Sequence, residues 1–478
     1  MTPRWVTVCD AAAVAFAALG ALVGLFGRFT ITPGLRVAMP SPLRIFFIAA
    51  AIVAIRHAAH PKYPLHRRLA GWLRSAVATD RSRAAAAALA SRVVVLIAGY
   101  FAVMTIGVAE PVGFQLSADP LTNLPARFDA GWYGGIAIDG YYFQHRFDVQ
   151  QNIAFFPAFP MTMRAVGHAA GAFERGVPHD ARIARALWGG VLISIGAFAW
   201  AAWYLTAIAR DDLGDERAFA AVLLLAAYPF AVFFSAPYTE SLFLVASIGA
   251  WYHFRRHERI RASGWGLLAG LTRPNGFFLS VPLGLIALSP LLRRRATRDA
   301  GRGTRDAGRG TRDQGPGTRD LLVSATPAIG MLIYSAYIKH LTGAWFGWVR
   351  LHAAWGRTYS TPVTRAFSWP PGDGLLAAAG TSPFDALNAL GLIFAVALLW
   401  PVLRRVGIPW AVFVLLNIVP PFLSGGLLSL GRLTSTQFPL FLALAAVLPP
   451  RAVGPWLVAF AIFQGLIAAL FFTWRPMF

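Results

Sequence analysis

The sequence predicts an all-α, polytopic integral membrane protein, and three observations carry that prediction. Hydrophobic residues make up 57% of the 478 and charged residues only 13%. Mean hydropathy is +0.56. Apolar runs of about 17 to 25 residues, the length that crosses a bilayer as a helix, recur from end to end. A closed β-barrel, the other way to span a bilayer, needs alternating segments rather than continuous runs such as Val93 to Ala109.

In chain order the predicted spans are Ala11 to Gly27, Leu43 to Ile55, Val93 to Ala109, Phe155 to Gly171, Ala186 to Ile208, Ala218 to Phe234, Thr239 to Phe254, Gly264 to Leu292, Leu321 to Leu341, Ala386 to Leu403, Pro409 to Leu428, Phe438 to Leu448 and Pro455 to Phe472. The eighth is broken at Thr272-Arg273-Pro274-Asn275-Gly276. Together they amount to about 11–13 crossings. The first run follows Arg4 and is read as an uncleaved helix, because a basic loop and many further spans come after it.

Net charge is +22, but the basic residues sit in short loops between apolar runs, which is a topology signal and excludes a folded nucleic-acid surface. Arg56 to Arg92 holds eight Lys or Arg against one acid, and Arg293 to Asp320 nine Arg against four Asp. The positive-inside rule places both in the cytoplasm. The passage around Asp129, one span beyond the first, then falls outside. If every run crosses once, Pro237 to Glu240 lands in the cytoplasm, yet the basic loop Arg255 to Arg261 one span later asks for it outside. One run therefore does not cross, and Phe155 to Gly171, with two prolines, Arg164 and His168, is the first suspect. Cys9 is the single cysteine, so no thiolate metal site exists, and no cofactor is expected. The absence of an Asn-x-Ser/Thr sequon and the strong preference for Arg over Lys fit a bacterial inner membrane.

The predicted organisation is 1–109, N-terminal spans with a basic cytoplasmic loop; 110–160, an external catalytic loop with amphipathic helices; 161–292, central spans; 293–320, a cytoplasmic linker; and 321–478, C-terminal spans with an external loop at 342–385. The linker is a TRDAGRG heptad repeat whose Gly, Arg and Asp cannot bury a core. The 342–385 loop is rich in Trp (345, 348, 355 and 369) with Arg350, His352 and Arg357. Two readings stay open for these tryptophans, an interfacial belt or the roof of a substrate cavity.

Arg127-Phe128-Asp129-Ala130-Gly131-Trp132-Tyr133 sets a carboxylate among aromatic residues where the chain meets water. Helical spacing puts Asp129, Trp132 and Tyr133 on one face, as aromatic platforms of the kind that stack on sugar rings. Spacing alone leans instead towards a capping Asp on an interfacial amphipathic helix.

This passage resembles the first external loop of the GPI mannosyltransferase 2 (PIG-V) family and its bacterial relatives. The matching residues are Arg127, Phe128, Asp129, Trp132, Tyr133, Ile136, Ala137, Gly140, Tyr141 and Phe155-Phe156-Pro157-Ala158-Phe159-Pro160. Further blocks agree in order: Tyr228-Pro229 through Phe233, Tyr238-Thr239-Glu240-Ser241-Leu242-Phe243, Thr272 to Gly276, and Gly431-Arg432 through Phe438-Pro439. Phe128 stands where the family has Trp, and Gln144, before His145, where relatives often have Glu.

The resemblance implies a GT-C glycosyltransferase with external loop helices after the third span. Such an enzyme takes a hexose, by analogy mannose, from a polyprenyl-phosphate donor to an acceptor hydroxyl with inversion. The acceptor is a glycolipid, a glycan or a protein, met in membrane lipid on the external face, with no nucleic acid and no metal. Asp129 is then the catalytic base. Arg273, Arg432 and Arg127 are the candidates for the donor phosphate. Trp132, Tyr133, Tyr141, Gln144, His145, Tyr238, Glu240 and Asn275 are the candidates for sugar or acceptor. Glu240 is alternatively a helix cap. The rival from another class is a lipid or sugar transporter or flippase, in which Arg273 and Glu240 mark a translocation path. The loop from Glu110 to Ile153 has no counterpart in the second half, which speaks against the inverted repeats such a protein carries.

Overall fold

The computed structural model describes residues 3–26, 29–32, 35–37, 41–110, 113–299, 318–357, 361, 364 and 383–475. Among the described residues the fold is all-α apart from a small antiparallel hairpin, β1 (Phe29–Thr32) and β2 (Leu35–Val37). Eight helices among the described residues are long and apolar enough to cross a membrane, or nine if a bent pair is one span. The remaining apolar runs fold as shorter helices, which is why this count is below the sequence expectation. The repeat at 300–317 and Trp369 lie outside the described residues.

Three spans open the chain: α1 (Arg4–Phe26), α2 (Pro42–Ala59) and, after the amphipathic α3 (Leu65–Ala76), α4 (Asp80–Ile106). The last begins well before its apolar run because Thr79 and Ser82 form a reciprocal capping box. Val94, Ile97 and Phe101 are exposed on it, as lipid-facing residues are.

Two short helices follow outside these spans, α5 (Ala130–Asp139) and α6 (Ala158–Ala169). At 12 residues α6 reaches about 18 Å, against the roughly 30 Å of a bilayer core. The suspect run is therefore too short to cross as a straight helix. The 35-residue α7 (His179–Leu213) then returns to the basic side, where Asp212 and Asp211 pair with Arg255 and Arg256 at the end of α9 (Glu240–Arg255).

Between them, α8 (Asp215–Ala227) and the 3₁₀ turn Pro229–Ser235 bend by 80°. Proline at position 229 cannot donate to the helix, so the break frees carbonyl oxygens inside the protein. Two buried side chains take them up. Arg92 of α4 donates to the carbonyls of Ala226 and Ala231. Gln464 donates to those of Ala226 and Tyr228 at 2.9 and 2.8 Å. The chain then turns back into α9, which leaves Tyr238 and Glu240 on the side of α5.

The break predicted at 272–276 is real: α10 (Arg259–Thr272) ends, a 3₁₀ turn runs over Pro274–Leu279, and α11 (Ser280–Asp299) continues. Its neighbour α12 (Thr318–Thr342) crosses α10 backbone to backbone. A Cβ on Gly270 would run into the Pro327 carbonyl, so small residues set this contact. Past α13 (Gly347–Arg350) and the turn Leu351–Trp355, the C-terminal half comprises α14 (Pro383–Arg405), α15 (Ile408–Gly425), α16 (Leu430–Ser435), α17 (Phe438–Val447) and α18 (Pro450–Phe472).

Replacing Arg92 with Met removes the donor at the α8 break and is expected to destabilise the fold by about 1–3 kcal/mol per carbonyl left unpartnered. Arg92→Lys should retain part of that stability. Thermal unfolding in detergent reads the order wild type, Lys, Met; a Met variant as stable as wild type would refute this role.

Candidate active site

Asp129 opens α5 just after a strained residue. Phe128 has φ +47°, a left-handed conformation costly for a non-glycine residue. Its ring is held against Trp474 and Phe471, with centroids 4.6 and 5.6 Å away. The buried Tyr238 hydroxyl accepts from the Asp129 backbone N–H at 3.0 Å and donates to the Arg127 carbonyl at 3.0 Å. The turn that aims Asp129 is thus fixed by packing on one side and by two hydrogen bonds on the other.

The carboxylate meets Arg432, whose Nη1 donates to Asp129 Oδ2 at 2.7 Å. The Nε of Arg432 donates to Glu240 Oε1. Arg273 Nη1 lies 3.0 Å from that same oxygen. Glu240 is fully buried, Arg273 and Arg432 are 8% and 10% exposed, and Asp129 is 25% exposed. Only the last carboxylate is open enough to meet a substrate. The chain Asp129–Arg432–Glu240–Arg273 joins four segments far apart in sequence.

Asp129, Arg432 and Arg273 line a cavity of about 310 Å³ with Tyr133, Phe155, Thr239, His352, Trp355 and Arg357, and Glu240 lies behind its wall. A second cavity of about 350 Å³ shares Arg273, His352 and Arg357 and adds Asn275, Phe277, Phe278, Trp348, Pro420 and Pro421. A cavity that places a carboxylate beside several guanidiniums and aromatic rings suits deprotonation of a neutral group next to an anion.

Of the residues expected from sequence, Asp129, Tyr133, Arg273 and Arg432 share the first cavity, and Asn275 lines the second, tied to Asn417 at 2.6 Å. The others sit elsewhere. Arg127 is 1% exposed, and its guanidinium is spent on the carbonyls of Phe472, Asn123 and Ala126 at 2.6–2.7 Å, so it does not face the cavity. Glu240 is a buried counter-charge between two arginines rather than a contact for sugar hydroxyls; Thr239, not Glu240, is the cap residue of α9. Tyr238 is sealed inside and holds backbone. Trp132 packs behind the cavity wall, stacked on Phe155 and edge-on to Trp355. Tyr141 donates to the Phe155 carbonyl at 2.8 Å and packs on Tyr334 and Tyr337, away from both cavities. Gln144 and His145 are exposed, the latter at φ +58° in a turn that carries them outward.

His352, Trp355 and Arg357 line the cavity although the sequence named them only as members of the Trp-rich loop, whose tryptophans were open to a belt or a cavity-roof reading, and not as candidate site residues. In that loop Trp355 and Trp348 line the cavities while Trp345 is exposed. Their only signal was composition.

Burial, aided by the Arg357 charge, lowers the His352 pKa from 6.5 to about 4, so the imidazole is neutral at physiological pH. Burial likewise pushes the Tyr133 hydroxyl up to about 12, which keeps it a neutral donor.

Residues 114–289 match the family model described as Mannosyltransferase (PIG-V), a stretch that contains Asp129, Glu240 and Arg273 but neither Arg357 nor Arg432. Among curated proteins none matches the chain.

The depressed His352 pKa has a stability consequence. Between about pH 6.5 and 4 the unfolded imidazole takes up a proton that the folded one refuses. Stability should fall as pH is lowered through that window. His352→Gln should flatten the difference; parallel melting curves of the two proteins from pH 7 downward would disprove it.

Proposed function

Starting from a membrane glycosyltransferase with a PIG-V-like segment, we propose that the chain moves a hexose, mannose by family analogy, from a polyprenyl-phosphate donor to an acceptor hydroxyl, with inversion, on the external face of a bacterial inner membrane. The observation that carries this reading is the shared cavity of Asp129, Arg273 and Arg432.

Inversion asks for one base and one departing anion. Asp129 takes the acceptor hydroxyl proton as the oxygen attacks the anomeric carbon. The bond from that carbon to the phosphate oxygen breaks, and its electron pair stays on the phosphate. A lipid phosphate is already a good leaving group, so its departure needs cations rather than a general acid. Arg273 and Arg432 supply positive charge at the cavity wall, and Glu240 fixes both of them in place before substrate arrives. Phe155 and Trp355 offer flat apolar surfaces for a sugar ring. The external side is supported by the basic residues that precede α4 and by those between α11 and α12, each one span away from a cavity-forming segment. Glycolipid, glycan and protein acceptors all present the hydroxyl this chemistry uses.

Asp129→Asn keeps the volume and removes the base. It should lower sugar transfer from a radiolabelled polyprenyl-phosphate donor by about 10²- to 10⁴-fold, with normal membrane insertion. Retained full activity would discard the catalytic assignment. Arg273→Ala should weaken use of the donor far more than use of the acceptor, and an unaltered dependence on donor concentration would count against its phosphate role.

A further inference from the structure

We propose that Arg357, at the junction of the two cavities, is the guanidinium that holds the donor phosphate, with the sugar on the Asp129 side and the start of the isoprenoid chain in the second cavity. This rests on the donor class proposed above and adds the residue and the division of space.

Charge singles out Arg357. Arg273, Arg357 and Arg432 face the cavities, and the carboxylates among them are Asp129 and Glu240. Three guanidiniums against two carboxylates leave one positive charge, and neutral His352 adds none at physiological pH. The residual charge belongs to Arg357. Arg432 is paired with both carboxylates and Arg273 with Glu240, whereas Arg357 has no carboxylate partner among the described residues. The one hydrogen bond of its guanidinium there is a long one, 3.4 Å, from Nη2 to the Leu428 carbonyl. Burial and the nearby Arg432 charge both act to lower its pKa, as befits a cation short of counter-charge.

The donor is a phosphodiester with a single negative charge, which matches that excess. During transfer the phosphate becomes a monoester of up to two negative charges. Asp129 takes the acceptor proton in the same event, so the wall then holds three guanidiniums against Glu240 alone, an excess of two. Site and phosphate remain matched at both ends of the reaction.

Position agrees with charge. Arg357 lines both cavities. On one side lie Asp129 and the rings of Phe155 and Trp355; on the other, Phe277, Phe278 and Pro421 present an apolar wall suited to isoprene units and not to sugar hydroxyls.

The test measures binding of farnesyl phosphate and of farnesol to the full chain in detergent. Wild type is expected to prefer the phosphate over the alcohol. Arg357→Gln should weaken farnesyl phosphate about 10- to 100-fold and leave farnesol unchanged, and Arg357→Lys, which keeps the charge but not the planar fork, should fall between. Farnesyl phosphate bound by the Gln variant as tightly as by wild type overturns the inference. Should the Gln variant not fold, an undiminished phosphate affinity in the Lys variant does so. A wild-type protein that does not distinguish phosphate from alcohol sinks the donor class itself, a failure separable from that of Arg357.

Discussion

One guanidinium organises the site. Arg432 touches Asp129 and Glu240 at once, and through Glu240 it is coupled to Arg273. Remove it and a fully buried carboxylate loses one of its two cationic neighbours, an expensive state in a low-dielectric interior. The surrounding backbone serves this contact. The short α16 carries Arg432 between longer helices, the chain reversal after the α8 break brings Glu240 to the same level, and the interruption of α10 delivers Arg273 from a third direction.

These irregular pieces share a physical logic. Backbone that leaves helical geometry at membrane depth needs new partners for its polar groups. At the α8 break Arg92 and Gln464 provide them, and at the α10 break the chain folds so tightly that a Cβ on Gly276 would overlap the Ala269 carbonyl. Regular spans supply the frame, and each departure from regularity places a charged side chain.

Much of this was legible in the sequence. The class was, because apolar length leaves few alternatives. Asp129 stood out as a carboxylate among aromatics, and Arg273 as a charge inside an apolar run. Loop charges asked for one run that does not cross, and α6 is shorter than a straight helix needs to span a bilayer core. Pairings were not legible. Asp129 and Arg432 lie 303 residues apart, so no periodicity links them. Arg127 looked like a phosphate ligand because it neighbours Asp129, yet its carbonyl partner Phe472 is 345 residues away. His352 and Arg357 sat in a loop whose tryptophans fitted a membrane belt equally well.

The Arg92 contact also bears on how the protein assembles. Ala226 lies 134 residues further along the chain than the cation it receives. A ribosome inserting this protein therefore delivers an uncompensated guanidinium to the bilayer long before its acceptors emerge, at a cost of about 2.5–3.5 kcal/mol for an arginine at mid-membrane. The first four long helices cannot be a finished unit by themselves: α4 reaches its resting environment only when α8 arrives and α18 closes over both.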